Sequence, residues 1–151
     1  MSTSPFSAWF RCFAGCGETY RLSQVILRCQ RCGGLLDVVH DEQAWRSRSP
    51  EAWRGLLQQR QLSSDPVDQS GVWAQREWVL PGLECADMVT LGEGRVPLVP
   101  MPVLGGELGT KSLYIKQCGH NPTGSFKDLG MTALVSMVQS LRRSGAAIPA
   151  I

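Results

Sequence analysis

The chain has 151 residues, 43% of them hydrophobic and 19% charged, a balance that excludes a disordered polymer and fits an ordinary globular protein. No apolar run approaches the roughly 18 residues of a membrane-spanning helix, and the first residues lack the basic and apolar regions of a secretory leader, so a cytoplasmic protein is expected. The formal charge is +2, with eight arginines against five acids up to residue 60 and seven bases against eight acids beyond it. So small an asymmetry gives no concentrated basic face, and neither nucleic acid nor a membrane is an expected partner.

Four of the six cysteines fall early, as Cys12-x3-Cys16 and Cys29-x2-Cys32, while Cys85 and Cys118 stand alone. In a chain without a secretory leader this pattern favours a metal over disulfides. Two short cysteine hairpins suit the tetrahedral thiolate site that zinc prefers, and four thiolates leave no position for a reactive water, so such a metal is structural. Four reduced thiols in a small core are the alternative. Glycine follows each pair, and the apolar run Leu35-Leu36-Asp37-Val38-Val39 reads as a strand leaving a tight turn. Residues 9–40 are therefore expected to form a zinc-ribbon-like β module, with two further short strands between Glu18 and Arg28 around Ser23-Gln24. His40, at the strand end, reads as a polar terminus rather than a fifth ligand.

Residues 41–87 read as a helical and loop linker. Ser49-Pro50-Glu51 offers an N-cap, a proline at the first helical position and an acid in the first turn, and Trp53, Leu56 and Leu57 follow at helical spacing, so a helix is predicted over 50–61. From Ser63 to Glu93 the Ser, Asp, Pro and Gly clusters predict packed loops with one helical turn. The segment 88–151 has an α/β texture. Strands are expected at Pro97–Pro100 and Leu113–Lys116, followed by a loop over Cys118–Ser125. A helix then carries Met131, Leu134, Val135, Val138 and Leu141 on one stripe and ends at Arg142-Arg143-Ser144-Gly145. Ala146–Ile151 reads as the opening of another strand, so the expected fold is the incomplete start of a parallel sheet.

Within this segment, Ser125 is a candidate N-cap and Lys127 falls in the first turn of the helix. The positive end of a helix and desolvation both disfavour an ammonium ion, which moves a lysine toward the neutral nucleophile of covalent catalysis. A solvated lysine at a helix start is the plain alternative. His120, in the preceding loop, reads as a solvent-facing side chain.

The order Asn121-Pro122-Thr123-Gly124-Ser125-Phe126-Lys127-Asp128-Leu129-Gly130 resembles the cofactor-lysine segment of the threonine synthases, in the tryptophan synthase β-like fold family. Ser70-Gly71-Val72-Trp73 and Leu91-Gly92-Glu93-Gly94-Arg95-Val96-Pro97-Leu98 resemble the lead-in segments of the same family, and the cysteine module resembles its N-terminal module. The resemblance covers roughly residues 12 to 143. Departures are Val96, where the family often has threonine, and Cys118, where many relatives carry glutamate.

The resemblance implies a fold type II pyridoxal 5'-phosphate enzyme of the carbon-oxygen lyase class, in which Lys127 binds the cofactor covalently and moves protons. It also implies a small-molecule substrate, O-phosphohomoserine, converted with water to threonine and phosphate in amino-acid biosynthesis, and a homodimer for the full-length form. The family's phosphate-holding glycine loop and ring contacts lie beyond the lysine segment, so the 151-residue chain by itself is expected to be catalytically silent. Two other readings remain open at this point: a zinc-ribbon binding module with a helical extension, and another β-family enzyme such as threonine dehydratase or cysteine synthase. The cysteine module and the order around Lys127 favour the threonine synthases.

Overall fold

The computed structural model describes residues 4–148 and is a mixed α/β structure. Three strands, β1 (Ala8–Cys12), β2 (Thr19–Arg21) and β3 (Leu36–His40), form an antiparallel sheet in the order β2-β1-β3. Phe10 lies opposite both Tyr20 and Val38, and Cys12 opposite Leu36. The turn from β1 to β2 carries the first cysteine pair; the Cys12 amide donates to the Glu18 carbonyl, and Gly15 and Gly17 take φ of 76° and 86°, a region L side chains avoid.

Only one of the two strands expected between Glu18 and Arg28 forms. At Ser23-Gln24 the chain turns, closed by the Gln24 amide on the Arg21 carbonyl and the Arg21 amide on Gln24 Oε1. Residues 25–28 then run without a ladder, because β3 takes the free edge of β1 and this stretch instead carries Cys29 back to the first pair. Leu27 is 91% exposed as a result.

Asp41 caps a short helix, α1 (Glu42–Arg46), that the sequence reading did not separate from its linker; the carboxylate accepts the Gln43 and Ala44 amides. α2 (Pro50–Gln61) has the predicted bounds, and Ser49 Oγ accepts the Ala52 amide as its cap. Aromatic packing joins the sheet to these helices. His40 stacks on Trp45 at 4.8 Å, Trp53 lies 5.0 Å from Trp78 and 5.4 Å from Phe6, and the Arg48 guanidinium sits 4.5 Å over Trp53.

The stretch 63–93 is more helical than the predicted loops with one turn. It contains α3 (Pro66–Gln69), a 3-10 turn at Trp73–Gln75 that runs into α4 (Arg76–Val79), and a second 3-10 turn at Cys85–Asp87. What holds these short pieces is tertiary. Arg60, buried on α2, bonds Glu77 through both guanidinium nitrogens and the Ala74 carbonyl, and Arg76 reaches Asp68 at 2.8 Å. Burial works against the Asp68 and Glu77 carboxylates, but hydrogen bonds and charge from Arg76 and Arg60 outweigh it and hold both below the usual carboxylate range. With both groups depressed in the folded state, the unfolded chain binds protons first on acidification. Their contribution is thus fully present above the unfolded carboxylate range, about pH 4–4.5, and is lost as the pH falls through the folded values. Urea midpoints measured from pH 7 down to pH 3 should fall steeply below about pH 4.5, and Arg60→Met should flatten that dependence.

The main core gathers Val72, Trp73 and Met88, with Leu129 and Ala133 of the last helix packed against them. β4 (Leu98–Pro100) and β5 (Tyr114–Lys116) flank α5 (Pro102–Glu107) and pair antiparallel, Val99 opposite Ile115. This pair is separate from the expected parallel unit, which runs from the Leu113–Lys116 strand through the last helix to Ala146–Ile151. Of the strand expected at Ala146–Ile151, Ala146–Ile148 carry no regular structure and 149–151 lie outside the described residues.

The last helix, α6 (Asp128–Arg143), differs from expectation in the face it buries. Its inward residues are Asp128, Thr132 and Ser136, one turn apart, whereas Met131 and Leu134 of the predicted apolar stripe are 48% and 46% exposed. The reason is a backbone need. Ser136 Oγ accepts the Val89 amide at 2.8 Å and Thr132 Oγ1 donates to the Val89 carbonyl, so two hydroxyls satisfy an irregular segment that has no ladder of its own. Among the described residues no helix is long and apolar enough to cross a membrane.

Candidate functional site

The four early cysteines converge. Their Sγ atoms all lie within 4.8 Å of one another, with Cys12 to Cys32 at 3.4 Å and Cys16 to Cys29 at 3.5 Å. A tetrahedral zinc at about 2.3 Å from each sulfur needs sulfurs about 3.8 Å apart, and the cluster has that size. The two hairpins also point amides at the sulfurs: Ala14 and Cys16 toward Cys12, Glu18 toward Cys16, Arg31 and Cys32 toward Cys29, and Gly34 toward Cys32. Such donors favour thiolates. A Cβ on Gly34 would stand 3.3 Å from Cys32 Sγ and 3.1 Å from the Ala14 methyl, so a side chain there would crowd the cluster.

Tyr20, which the sequence reading did not single out, supports the site from behind. Its hydroxyl lies 3.3 Å from Cys29 Sγ and accepts the Gln30 amide at 2.9 Å. That hydroxyl, with neighbouring amides, brings the Cys29 thiol down to about 6 against the effect of burial. The Glu18 amide favours the Cys16 thiolate too, but Cys12, burial and Cys29 push Cys16 up to about 12. Cys12 and Cys29 are drawn toward the thiolate while Cys16 and Cys32 are pushed toward the thiol, as crowded sulfurs share their protons; a dication removes that restraint. His40 takes no part in the cluster, and its Nε2 is buried without a hydrogen-bond partner beside Trp45.

The second site is the loop before α6. A 3-10 turn at Cys118–His120 leads into Asn121, and Gly124 takes φ 77°, which lets the chain reverse and its amide donate to the Asn121 carbonyl. Asp128 accepts the Thr123 amide at 2.9 Å and the Thr123 hydroxyl, tying the loop to the first turn of the helix. Ser125 Oγ accepts the Lys127 amide at 3.1 Å. Lys127 is therefore the residue just before α6 rather than inside its first turn, and its side chain is exposed, not buried. His120 is exposed in the loop, as expected.

The lead-in segments come to the same place. Gly94 (φ 83°) lies against Gly71 so closely that a Cβ on Gly71 would fall 2.1 Å from the Gly94 carbonyl carbon. Glu93 closes the turn, accepting the Thr90 hydroxyl at 2.7 Å and the Leu91 amide at 2.9 Å. Asn121, buried, reaches across to the Gly94 amide. Sequence reasoning named the loop but not Asn121 or Asp128 as its fasteners. The available signal was an Asx residue ahead of a Pro-x-Gly turn and an acid at the helix start.

The Lys127 amine stands in solvent at a helix start, on a loop held from both sides, and sequence comparison gives this segment a likeness. Residues 89–148 match the family of pyridoxal-phosphate dependent enzymes. The particular likeness is to threonine synthases. The chain is 42% identical over 127 residues to threonine synthase 2, chloroplastic, of Arabidopsis thaliana, covering 83% of this chain and 24% of that protein. It is 39% identical over 126 residues to the threonine synthase of Methanocaldococcus jannaschii, 83% of this chain and 28% of that one. For the Methanosarcina acetivorans threonine synthase the figures are 35% over 135 residues, 83% and 27%. The chain thus resembles the N-terminal portion of threonine synthases and spans about a quarter of the length of these relatives.

Proposed function

We propose that this chain provides the N-terminal part of a threonine synthase, which turns O-phosphohomoserine and water into threonine and phosphate, with Lys127 as the cofactor lysine. The observation that carries the reading is the placement of Lys127: a lone exposed amine at the start of α6, on a loop pinned by Asn121 and Asp128, inside the segment that matches the family. Pyridoxal phosphate, when bound, supplies a sink for the charge that develops on the substrate carbon. The protein's own part is to hold that group through Lys127 Nζ and to carry protons on the same nitrogen. Asp128 keeps the loop from swinging by holding Thr123, so Nζ acts from a fixed base.

The four cysteines, in this reading, hold one structural zinc and make residues 9–40 a zinc-ribbon-like module, with the linker 41–87 joining it to the catalytic segment from 88 onward. Tight convergence of four sulfurs beside backbone donors supports zinc over unbridged thiols.

Treating the chain with pyridoxal phosphate and borohydride, then mapping peptides by mass, tests the lysine assignment. The pyridoxyl group is expected on Lys127 and to vanish in Lys127→Ala; a group on Lys111 or Lys116 instead overturns it. The 151-residue polypeptide by itself is expected to release no phosphate from O-phosphohomoserine, because α6 still exposes Met131 and Leu134 and the β4–β5 pair exposes Leu98 and Tyr114, surfaces that in a working site are packed. Saturable turnover by this chain would overturn that expectation.

A further inference from the structure

We propose that Asn121 is the positioning residue of the Lys127 loop, its buried carboxamide fastening the loop to the Gly92–Gly94 turn and so fixing where the Lys127 amine stands. The inference rests on reading Lys127 as the cofactor lysine. A carboxamide has one good acceptor and two donors, and Asn121 uses all three. Its Oδ1 accepts the Gly94 amide at 2.9 Å; its Nδ2 donates to the Cys118 carbonyl at 2.8 Å and the Ser125 carbonyl at 3.2 Å. The opposite orientation of the amide would set NH2 against an N–H and oxygen against two carbonyls, so the surroundings admit only this one. The residue is 5% exposed, and a buried network of this kind is costly to leave half satisfied.

Each end of the network is itself held. Gly94 cannot retreat, because it abuts Gly71 and a Cβ on it would meet the Gly71 carbonyl carbon at 3.0 Å and Leu129 Cδ2 at 3.2 Å. On the other side, Ser125 passes the constraint to the lysine: its carbonyl takes the Asn121 donor and the Asp128 amide, and its hydroxyl takes the Lys127 amide. One side chain thus connects a turn 27 residues upstream to the backbone of Lys127. Asp128 holds the loop only to its own helix, so Asn121 alone among these fasteners refers the lysine to the rest of the molecule.

The two variants Asn121→Ala and Asn121→Asp separate the contacts. Aspartate keeps an acceptor for the Gly94 amide but turns a second oxygen onto the Cys118 and Ser125 carbonyls. Amide hydrogen exchange on the full chain reads the lock directly. The Gly94 amide is expected to be protected in the wild type and to exchange about tenfold faster in Asn121→Ala, the effect of one lost hydrogen bond, while staying protected in Asn121→Asp. The Lys127 and Asp128 amides, which donate to Ser125, are expected to lose protection in both variants. Reductive labelling with pyridoxal phosphate and cyanoborohydride is expected to prefer Lys127 over Lys111 and Lys116 in the wild type and to lose that preference in both variants.

A wild-type Gly94 amide that exchanges as a free amide overturns the proposal without any variant. Unchanged preference for Lys127 in Asn121→Ala, with Gly94 protection lost, also overturns it, since the bond then exists without positioning the amine. Loss of protection at Lys127 and Asp128 in the variants, with no lysine preference in the wild type, supports the lock and overturns the cofactor-lysine reading instead.

Discussion

Stripping the metal from the cysteine cluster is expected to unfold residues 9–40 while leaving the core around Trp73 folded. The ribbon buries only Cys12, Tyr20 and Cys29 fully, and Phe13, Val25, Leu27 and Leu35 are exposed, so apolar burial contributes little to it. Modules of this size ordinarily need a staple, and a structural zinc supplies about 10–16 kcal/mol of apparent binding free energy near neutral pH, comparable to the whole stability of a typical domain. Metal analysis of the purified chain should give one zinc per chain. Chelation, or Cys29→Ser, should abolish the slow exchange of β1 and β3 amides with little change at Trp73. Ribbon amides that stay protected in a metal-free chain with four titrating thiols would show that the sheet stands without a metal.

Replacing Trp73 with alanine should give the largest loss of stability of any single core change, about 3–5 kcal/mol. The ring is fully buried at 0% exposure, between Val72, Met88 and the inward face of α6. Its Nε1 also donates to the Val89 carbonyl at 2.9 Å, beside the Thr132 hydroxyl that donates to the same oxygen. Removing the ring therefore opens a cavity at the point where α6 docks. Trp73→Phe keeps most of the volume and leaves Thr132 on the carbonyl, so it should cost only about 1 kcal/mol beyond the packing change. Urea unfolding of the two variants distinguishes the terms, and a loss under about 1 kcal/mol for Trp73→Ala would mean that α6 is anchored elsewhere.

Expectation and structure part where a side chain's partner is distant in the chain. Helix α2 was legible because its cap, its N-terminal proline and its apolar spacing are all local to Ser49–Gln61. The short helices of 63–93 were not, since Arg60 and Asp68 hold them through contacts with Glu77 and Arg76 that no local pattern announces. The face of α6 was misjudged for a related reason. Periodicity marks Met131 and Leu134 as a stripe, but the Val89 backbone needed hydroxyl partners, and Thr132 and Ser136 supplied them.

Sequence alone determined the chemistry-bearing groups: four thiols in two hairpins at Cys12, Cys16, Cys29 and Cys32, and an amine at Lys127 behind a Pro-x-Gly turn. Covalent spacing sets those local shapes, because a hairpin or a turn is closed by neighbours in the chain. Tertiary structure decided what each group stands against. The two cysteine hairpins close on one another only because β3 pairs with β1 and returns the chain to them. Lys127 is tied to the rest of the molecule because the Asn121 carboxamide finds the Gly94 amide, which the Gly71 contact holds in place. Both depend on burying a polar or backbone group beside one far away in sequence, an energetic demand that residue order does not reveal until the chain has folded.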